Sequence, residues 1–483
     1  MRVSLPSGPP ALARLAAQVR ADLERIHHPP RTWVVPRTSA QGEAVFDVVI
    51  VGAGQGGLTV AHALRRECVD NILVIDRAPR GATGCWRQYA RMPMLRTHKA
   101  LPGPDLRLPS LTYRSWHEAV HGTASWDGIE RIARDDWQAY LDWYRDLLEL
   151  PVRHDCGLTA LQPRADGVLT LQLAGPGAAG PVLARKVVLA TGLDGTGAWT
   201  MPDFVTRLPA RWRATTAEPI DFAALAGKTV AVLGQGASAA DNAACALEAG
   251  AARVVMCVRR AALQTVQPFG WTLFAGFLKH LADMPDAWRW RFMNHILTMR
   301  EGFPQDTYQR MRRHANFEIW RGAGWTDARL DGGRVLIETA RGALRADYLI
   351  CGTGMDVDLG CRPELAACAP HVATWADRYT PPEDQANARL ARFPYHAPDG
   401  SFTEKVPGAA PWLKDIHDYT YGTTLSFGPS GSSINAMYYA VPRLVAGITR
   451  GLFAADLAHH WQGLLDYQVP AFTPVAEDLA PLD

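Results

Sequence analysis

Eight cysteines are present, at positions 68, 85, 156, 245, 257, 351, 361 and 368, yet no two form a C-x-x-C. A redox dithiol and a zinc site are therefore unsupported, and scattered thiols on apolar strands suit a reducing cytoplasm. Long apolar runs are missing too. None reaches the length that spans a bilayer, and the N-terminus lacks the basic-then-apolar order of a signal peptide. A cytoplasmic protein with no membrane association is expected. Nor is charge of one sign in excess. Against 50 Lys and Arg stand 48 Asp and Glu, a net charge of +2, and no long charge run occurs. Nucleic acid is not an expected partner. What is left is a globular composition, 48% hydrophobic, in 483 residues, enough for two or three domains.

The stretch Phe46–Asp76 organises the chain. Val48 to Val51 is a short β-branched run that suits a parallel strand buried on both faces. The turn Gly52-Ala-Gly54-Gln-Gly56-Gly57 follows, then an alanine-rich helix pattern from Leu58 to Arg66. A second apolar run, Ile72 to Ile75, ends on Asp76. Gly52 permits the tight strand-to-helix turn. Gly54 lets backbone approach a pyrophosphate, Gly57 lets helix and strand pack closely, and the helix N-terminus offers free N–H groups. Asp76 stands where a carboxylate accepts ribose hydroxyls. Strand, turn, helix, strand and terminal acid together mark a dinucleotide site. Upstream, Leu12, Leu15, Val19, Leu23 and Ile26 share one face of an amphipathic helix, expected to pack on the domain surface rather than act as a lid.

Gly84-Cys85-Trp86-Arg87 comes next. Then follow Met94-Leu95-Arg96-Thr97-His98-Lys99, Gly103-Pro104-Asp105-Leu106 and Pro109-Ser110-Leu111-Thr112-Tyr113-Arg114-Ser115-Trp116. With the glycine motif, these stretches resemble the single-component (class B) flavoprotein monooxygenases, which include flavin-containing, Baeyer–Villiger and N-hydroxylating types. The likeness is greatest to bacterial FAD/NAD(P)-binding oxidoreductases once described as flavoproteins of ion transport. The resemblance implies FAD at the first site, with Trp86 and Arg96 beside it. Thr97, His98 and Lys99 are the implied flavin-side donors.

Trp137, Tyr140, Leu141, Tyr144 and Leu147 share a helical face, best explained as core. Residues 152–190 read as a small β-meander, closed by an apolar strand ending in Ala190-Thr191-Gly192. Tyr348 to Gly354 repeats that pattern and ends in Thr353-Gly354; such turns let backbone amides approach a cofactor. Between the two copies lies a second fingerprint, Gly234-Gln-Gly236-Ala-Ser238-Ala239 after an apolar strand. Its next strand ends in Arg259-Arg260 instead of an acid. Arginines pair with a 2′-phosphate, so the second nucleotide is expected to be NADPH. The turn 426–435 should meet the flavin or its ribityl chain through Ser432 and Asn435; His417, Tyr419 and Tyr421 lie just upstream.

The fold expected is α/β, with two Rossmann-like dinucleotide-binding domains, the NADPH domain inserted into the FAD domain. Residues 1–45 form a helix and a proline-rich lead. The FAD domain takes 46–199 and 346–483, the latter with a C-terminal tail, and the NADPH domain takes 200–345. A helical insert is expected over 267–325, with Trp271, Phe274, Phe277, Leu278 and Leu281 on one face and Trp288, Phe292, Ile296 and Met299 on another. One family signature, F-x-G-x-x-x-H, is absent: the corresponding place reads Leu208-Pro-Ala210-Arg-Trp-Arg-Ala214.

The resemblance implies an NADPH- and O2-dependent monooxygenase. It would act through a C4a-(hydro)peroxyflavin on the nitrogen, sulfur or carbonyl carbon of a small molecule. Cofactors are FAD and NADPH, with no metal. Two alternatives remain, an NADPH-dependent oxidase or dehydrogenase and a non-enzymatic redox sensor or transport regulator. A disulfide reductase is excluded by the missing C-x-x-C. The oligomeric state is open, a homodimer among the options.

Overall fold

The computed structural model describes residues 8–26, 31–100, 103–429, 433–475 and 478. The strand Val45–Val51 carries the first fingerprint, and its last five residues are buried. It lies between Ile72–Ile75 and Val182–Leu189, parallel to both, with Val48 opposite Ile72 and Ile50 opposite Val188. These belong to a seven-stranded sheet. Val182–Leu189 also pairs antiparallel with Leu169–Ala174, which pairs with Gly157–Pro163. The expected meander thus joins the nucleotide sheet through its last strand. Ile416–Asp418 pairs with the other half of Val182–Leu189 and brings the late chain back to this sheet.

A second, five-stranded sheet has the order Arg213–Thr215, Tyr348–Cys351, Thr229–Leu233, Arg253–Val258, Phe317–Arg321, and all its pairs are parallel. Two boundaries expected from sequence move here. Tyr348–Cys351 belongs to the second sheet, so that unit runs past residue 345. An apolar strand ending in Gly-Thr-Gly looks the same whichever sheet accepts it; pairing decides. The helical insert also ends early. Its helices are Pro268–Trp271, Ala275–His280, Asp286–Met299 and Gln305–Arg312, after which Phe317–Arg321 is the edge strand of the second sheet.

The structure decides which faces of that insert are buried. Asp286–Met299 buries Trp290, Met293, Ile296 and Leu297, while Trp288 is 49% exposed. Trp271 and Phe274 are exposed and pack edge-on to each other at 5.3 Å. Tryptophans on both sides of the helix leave the apolar stripe ambiguous until a neighbour chooses one. The neighbours are Trp375, Leu390 and Phe393. By contrast, Trp137, Tyr140, Leu141, Tyr144 and Leu147 all lie in the first core, and the N-terminal helix Pro9–Ile26 packs Val19 against that same core. Among the described residues no helix is long and apolar enough to cross a membrane.

Candidate functional site

Both fingerprints fold into the same local device. Gly52 has φ +109°, and a Cβ there would lie 2.4 Å from the Ala190 carbonyl oxygen; Gly234 has φ +117°, and its Cβ would lie 2.3 Å from the Gly352 carbonyl oxygen. Each glycine turn therefore abuts the strand end that carries a Thr-Gly turn, Thr191-Gly192 in one case and Thr353-Gly354 in the other. Only a residue without a side chain fits. Gly57 is held by the same logic, since its Cβ would meet the Gly52 oxygen at 1.8 Å. The helices that follow, Gln55–Arg66 and Ala237–Glu248, start at Gly54 and Gly236 with no side-chain cap. Their first N–H groups are left for an anion.

A cleft of about 1260 Å³ joins the two devices. It is lined by Gly52, Gly54, Asp76, Trp86, Arg96, Thr97, His98, Thr191, Gly192, Gly234, Gly236, Ser238, Arg259, Arg260, Thr353, Gly354 and Asn435. The sequence residues scattered over the chain thus meet in one place. Three do not appear there. Gly57 sits behind the turn it shapes. Ser432 lies outside the described residues. Lys99 is turned away: its ammonium donates to the Trp126 carbonyl at 2.5 Å and to the Ile129 carbonyl, and it lies 5.0 Å over the Trp126 ring. An ammonium satisfied in this way anchors a loop, so it is not available as a flavin-side donor. Thr97 and His98 do line the cleft, and the His98 Nδ1 accepts from the Ala100 N–H at 3.2 Å.

Asp76 accepts from the backbone N–H of Ala53 at 2.7 Å and of Ala78 at 2.8 Å. Its carboxylate is thereby fixed beside the glycine turn. Arg96 donates to Asp241 at 2.7 Å, which ties the strand Met94–His98 to the second fingerprint helix across the cleft. Asp241 is buried and also accepts from the Thr307 hydroxyl at 2.9 Å. The two end arginines separate in role. Arg260 donates to the carbonyls of Thr298 and Met299, both at 3.0 Å, and so caps the helix Asp286–Met299. Arg259 makes no hydrogen bond or ion pair among the described residues and faces the cleft.

Several buried polar atoms of cleft residues have no partner: Gln235 Oε1, Asn242 Oδ1, Asn435 Oδ1, the Tyr419 hydroxyl and Arg96 Nε. An unpaired buried polar atom costs about 1–3 kcal/mol. Polar ligands with many donors and acceptors would relieve that cost, and FAD and NADPH are such ligands. Tyr419 and Tyr421 reach the cleft, whereas His417 is buried in the sheet with its pKa pushed down to about 4 by burial. Cys85 lines the cleft, but burial raises its thiol pKa to about 11, so it stays protonated. Sequence reasoning missed Arg300, Asn387 and Arg389, which line the same cleft. They sit at a helix end and in a loop, where no spacing marks them.

Two dinucleotide devices facing one cleft define a flavoprotein oxidoreductase of the two-nucleotide class. Residues 49–194 match the FAD–NAD(P)-binding family model, and residues 126–294 match that of L-lysine 6-monooxygenase/L-ornithine 5-monooxygenase. The chain is 41% identical over 464 residues to a FAD-dependent urate hydroxylase of Xanthomonas campestris pv. campestris, covering 96% of this chain and 97% of that one. The chain belongs to the class B flavoprotein monooxygenases, of the FAD–NAD(P)-binding type. Its fold is shared with the ornithine hydroxylase of Pseudomonas aeruginosa (TM-score 0.66, 14% identity, 85% of this chain and 100% of that one). It is also shared with the ornithine N-hydroxylase of Kutzneria sp. 744 (TM-score 0.64, 18% identity, 84% and 99%). The protein is an FAD-containing, NADPH- and O2-dependent monooxygenase of a small organic substrate.

Proposed function

We propose that this monooxygenase hydroxylates urate. One observation carries the reading: 41% identity to a urate hydroxylase along 96% of the chain. Gly52, Gly54 and the free N–H groups at Gln55 would receive the FAD pyrophosphate, Asp76 its ribose, and Trp86, Thr191, Gly192 and Asn435 the rest of the cofactor. Gly234, Gly236 and Ser238 would receive the NADPH pyrophosphate, Arg259 its 2′-phosphate, and Thr353 and Gly354 the rest of that nucleotide. Bound FAD supplies acceptance of hydride from NADPH and activation of O2.

The chain itself binds, orients and excludes water. Arg96 and Asp241 hold the two nucleotide units in register across the cleft. Thr97 and His98 are the side chains proposed as proton donors on the flavin side. Tyr419 packs its ring against Gly56, where a Cβ would lie 2.9 Å away, and so closes the wall beside the first glycine turn. A cytoplasmic location is part of this proposal, supported by scattered cysteines of which no two form a C-x-x-C. The test is NADPH and O2 consumption by the purified holoenzyme with and without urate, with product mass. Stimulation by urate and a product heavier by one oxygen are expected. Urate-independent NADPH oxidation that yields only hydrogen peroxide would remove urate as the substrate.

A further inference from the structure

Four arginines line the cleft around the second nucleotide device: Arg259, Arg260, Arg300 and Arg389. Two are already committed. Arg260 caps a helix, and Arg389 donates to the Asp356 carboxylate at 2.6 Å and to the Met355 carbonyl. The side chains of the other two make no hydrogen bond or ion pair among the described residues, and both line the cleft. Arg259 ends the strand Arg253–Val258, where the 2′-phosphate is proposed to lie. Arg300 lies past the end of the helix Asp286–Met299 and lines the same cleft.

Arg300 follows the helix Asp286–Met299 with φ +64°. A left-handed backbone is unfavourable for a residue with a Cβ, and such strain concentrates at ligand clamps. The conformation turns its side chain toward the meeting of the two units. A Cβ on Gly354 would lie 3.4 Å from an Arg300 Nη. Tyr421, which lines the cleft and is electrostatically coupled to Arg300, donates its backbone N–H to the Gly192 carbonyl at 3.4 Å. The guanidinium therefore lies beside the Thr353-Gly354 turn of the second unit, and Tyr421 links its surroundings to Gly192 of the first. Burial and the neighbouring Arg389 both push its pKa below the ordinary guanidinium range. An anion beside it would offset both effects.

We propose that Arg300 recognises the substrate as a planar anion, its guanidinium fork meeting a negatively charged ring edge in the cleft beside Thr353-Gly354. This rests on the urate reading. Urate is flat, carries one negative charge at neutral pH and presents adjacent oxygen and nitrogen acceptors, the shape that a guanidinium engages bidentately and an ammonium does not.

The experiment compares wild-type, Arg300→Gln and Arg300→Lys holoenzymes in steady-state turnover, with KM measured for urate and for NADPH and flavin content checked by absorbance. Arg300→Gln should raise KM for urate roughly 10- to 100-fold, the usual loss when a hydrogen bond to a charged group is removed. Arg300→Lys should fall between, because charge survives and the fork does not. KM for NADPH should move far less than KM for urate. If KM for NADPH rises while KM for urate stays put, Arg300 serves the nucleotide and the proposal is overturned. Unchanged KM for urate in both variants overturns it as well. No response of the wild type to urate removes the urate reading, and this inference with it, whereas the other two adverse results leave that reading standing. Should Arg300→Gln lose its flavin, the lysine variant decides by the same comparison.

Discussion

Arg259 and Arg260 are adjacent in sequence and divided in space. They follow the strand Arg253–Val258, and the hydrogen bonds of Arg260 hold its guanidinium at a helix end. Arg260 donates to two helix-terminal carbonyls, where a cation is favoured by the helix dipole. Arg259→Ala should therefore raise KM for NADPH about 10- to 100-fold and leave KM for NADH nearly unchanged. Arg260→Ala should leave the NADPH-to-NADH preference near wild type and cost about 1 kcal/mol of stability, read by urea unfolding. Equal loss of preference in both variants would contradict this division. Lys99 carries the same lesson. Its residue type and place in the chain suited a flavin-side donor, but two backbone carbonyls already occupy its ammonium.

At the scale of an element, the helix Gln55–Arg66 shows how burial alters chemistry that composition leaves open. His62 on this helix is 3% exposed, its ring stands edge-on to Tyr144 at 5.8 Å, and its Nε2 has no partner. Burial, followed by repulsion from Arg66 and Arg65, lowers its pKa to about 3 from 6.5. A folded-state value below the unfolded one means that the unfolded chain takes up a proton the folded chain refuses. Stability is thus full above pH 6.5 and falls as pH drops toward the folded-state value of about 3, by about 1.4 kcal/mol per pH unit when the difference is one proton. His62→Phe should remove this contribution. Urea unfolding at pH 7 and pH 5 should show the wild type losing about 1–2 kcal/mol more than the variant, and parallel losses would count against the neutral buried histidine. The insert helix Asp286–Met299 is a converse case. Trp288 and Trp290 differ in burial on this helix, and the packing of Trp290 and Met293 with Leu390 and Phe393 selects the buried face.

At the scale of the whole molecule, two nucleotide units share one cleft, and the Arg96–Asp241 pair spans it. Several buried polar atoms of the cleft wall have no protein partner, so binding and folding are linked. Adding FAD to the apoprotein at a free concentration about 100 times its Kd should stabilise the fold by about 2.7 kcal/mol. Thermal or urea unfolding across a FAD titration measures this, and a midpoint that does not move with FAD would contradict linkage at this cleft.

The glycine fingerprints, the two Thr-Gly turns and the strand–helix order were legible in the chain because each is a local steric demand. A turn that must reach φ +109° beside a carbonyl 2.4 Å from a missing Cβ admits only Gly52, and that demand is written in neighbouring residues. The sheet that accepts Tyr348–Cys351, the arginine left free, the tryptophan that points inward and the placement of Arg300 beside Gly354 were decided by tertiary structure. Those outcomes depend on contacts between segments far apart in sequence. Strand pairing, burial and the competition of carbonyls for a cation are settled only when the segments meet.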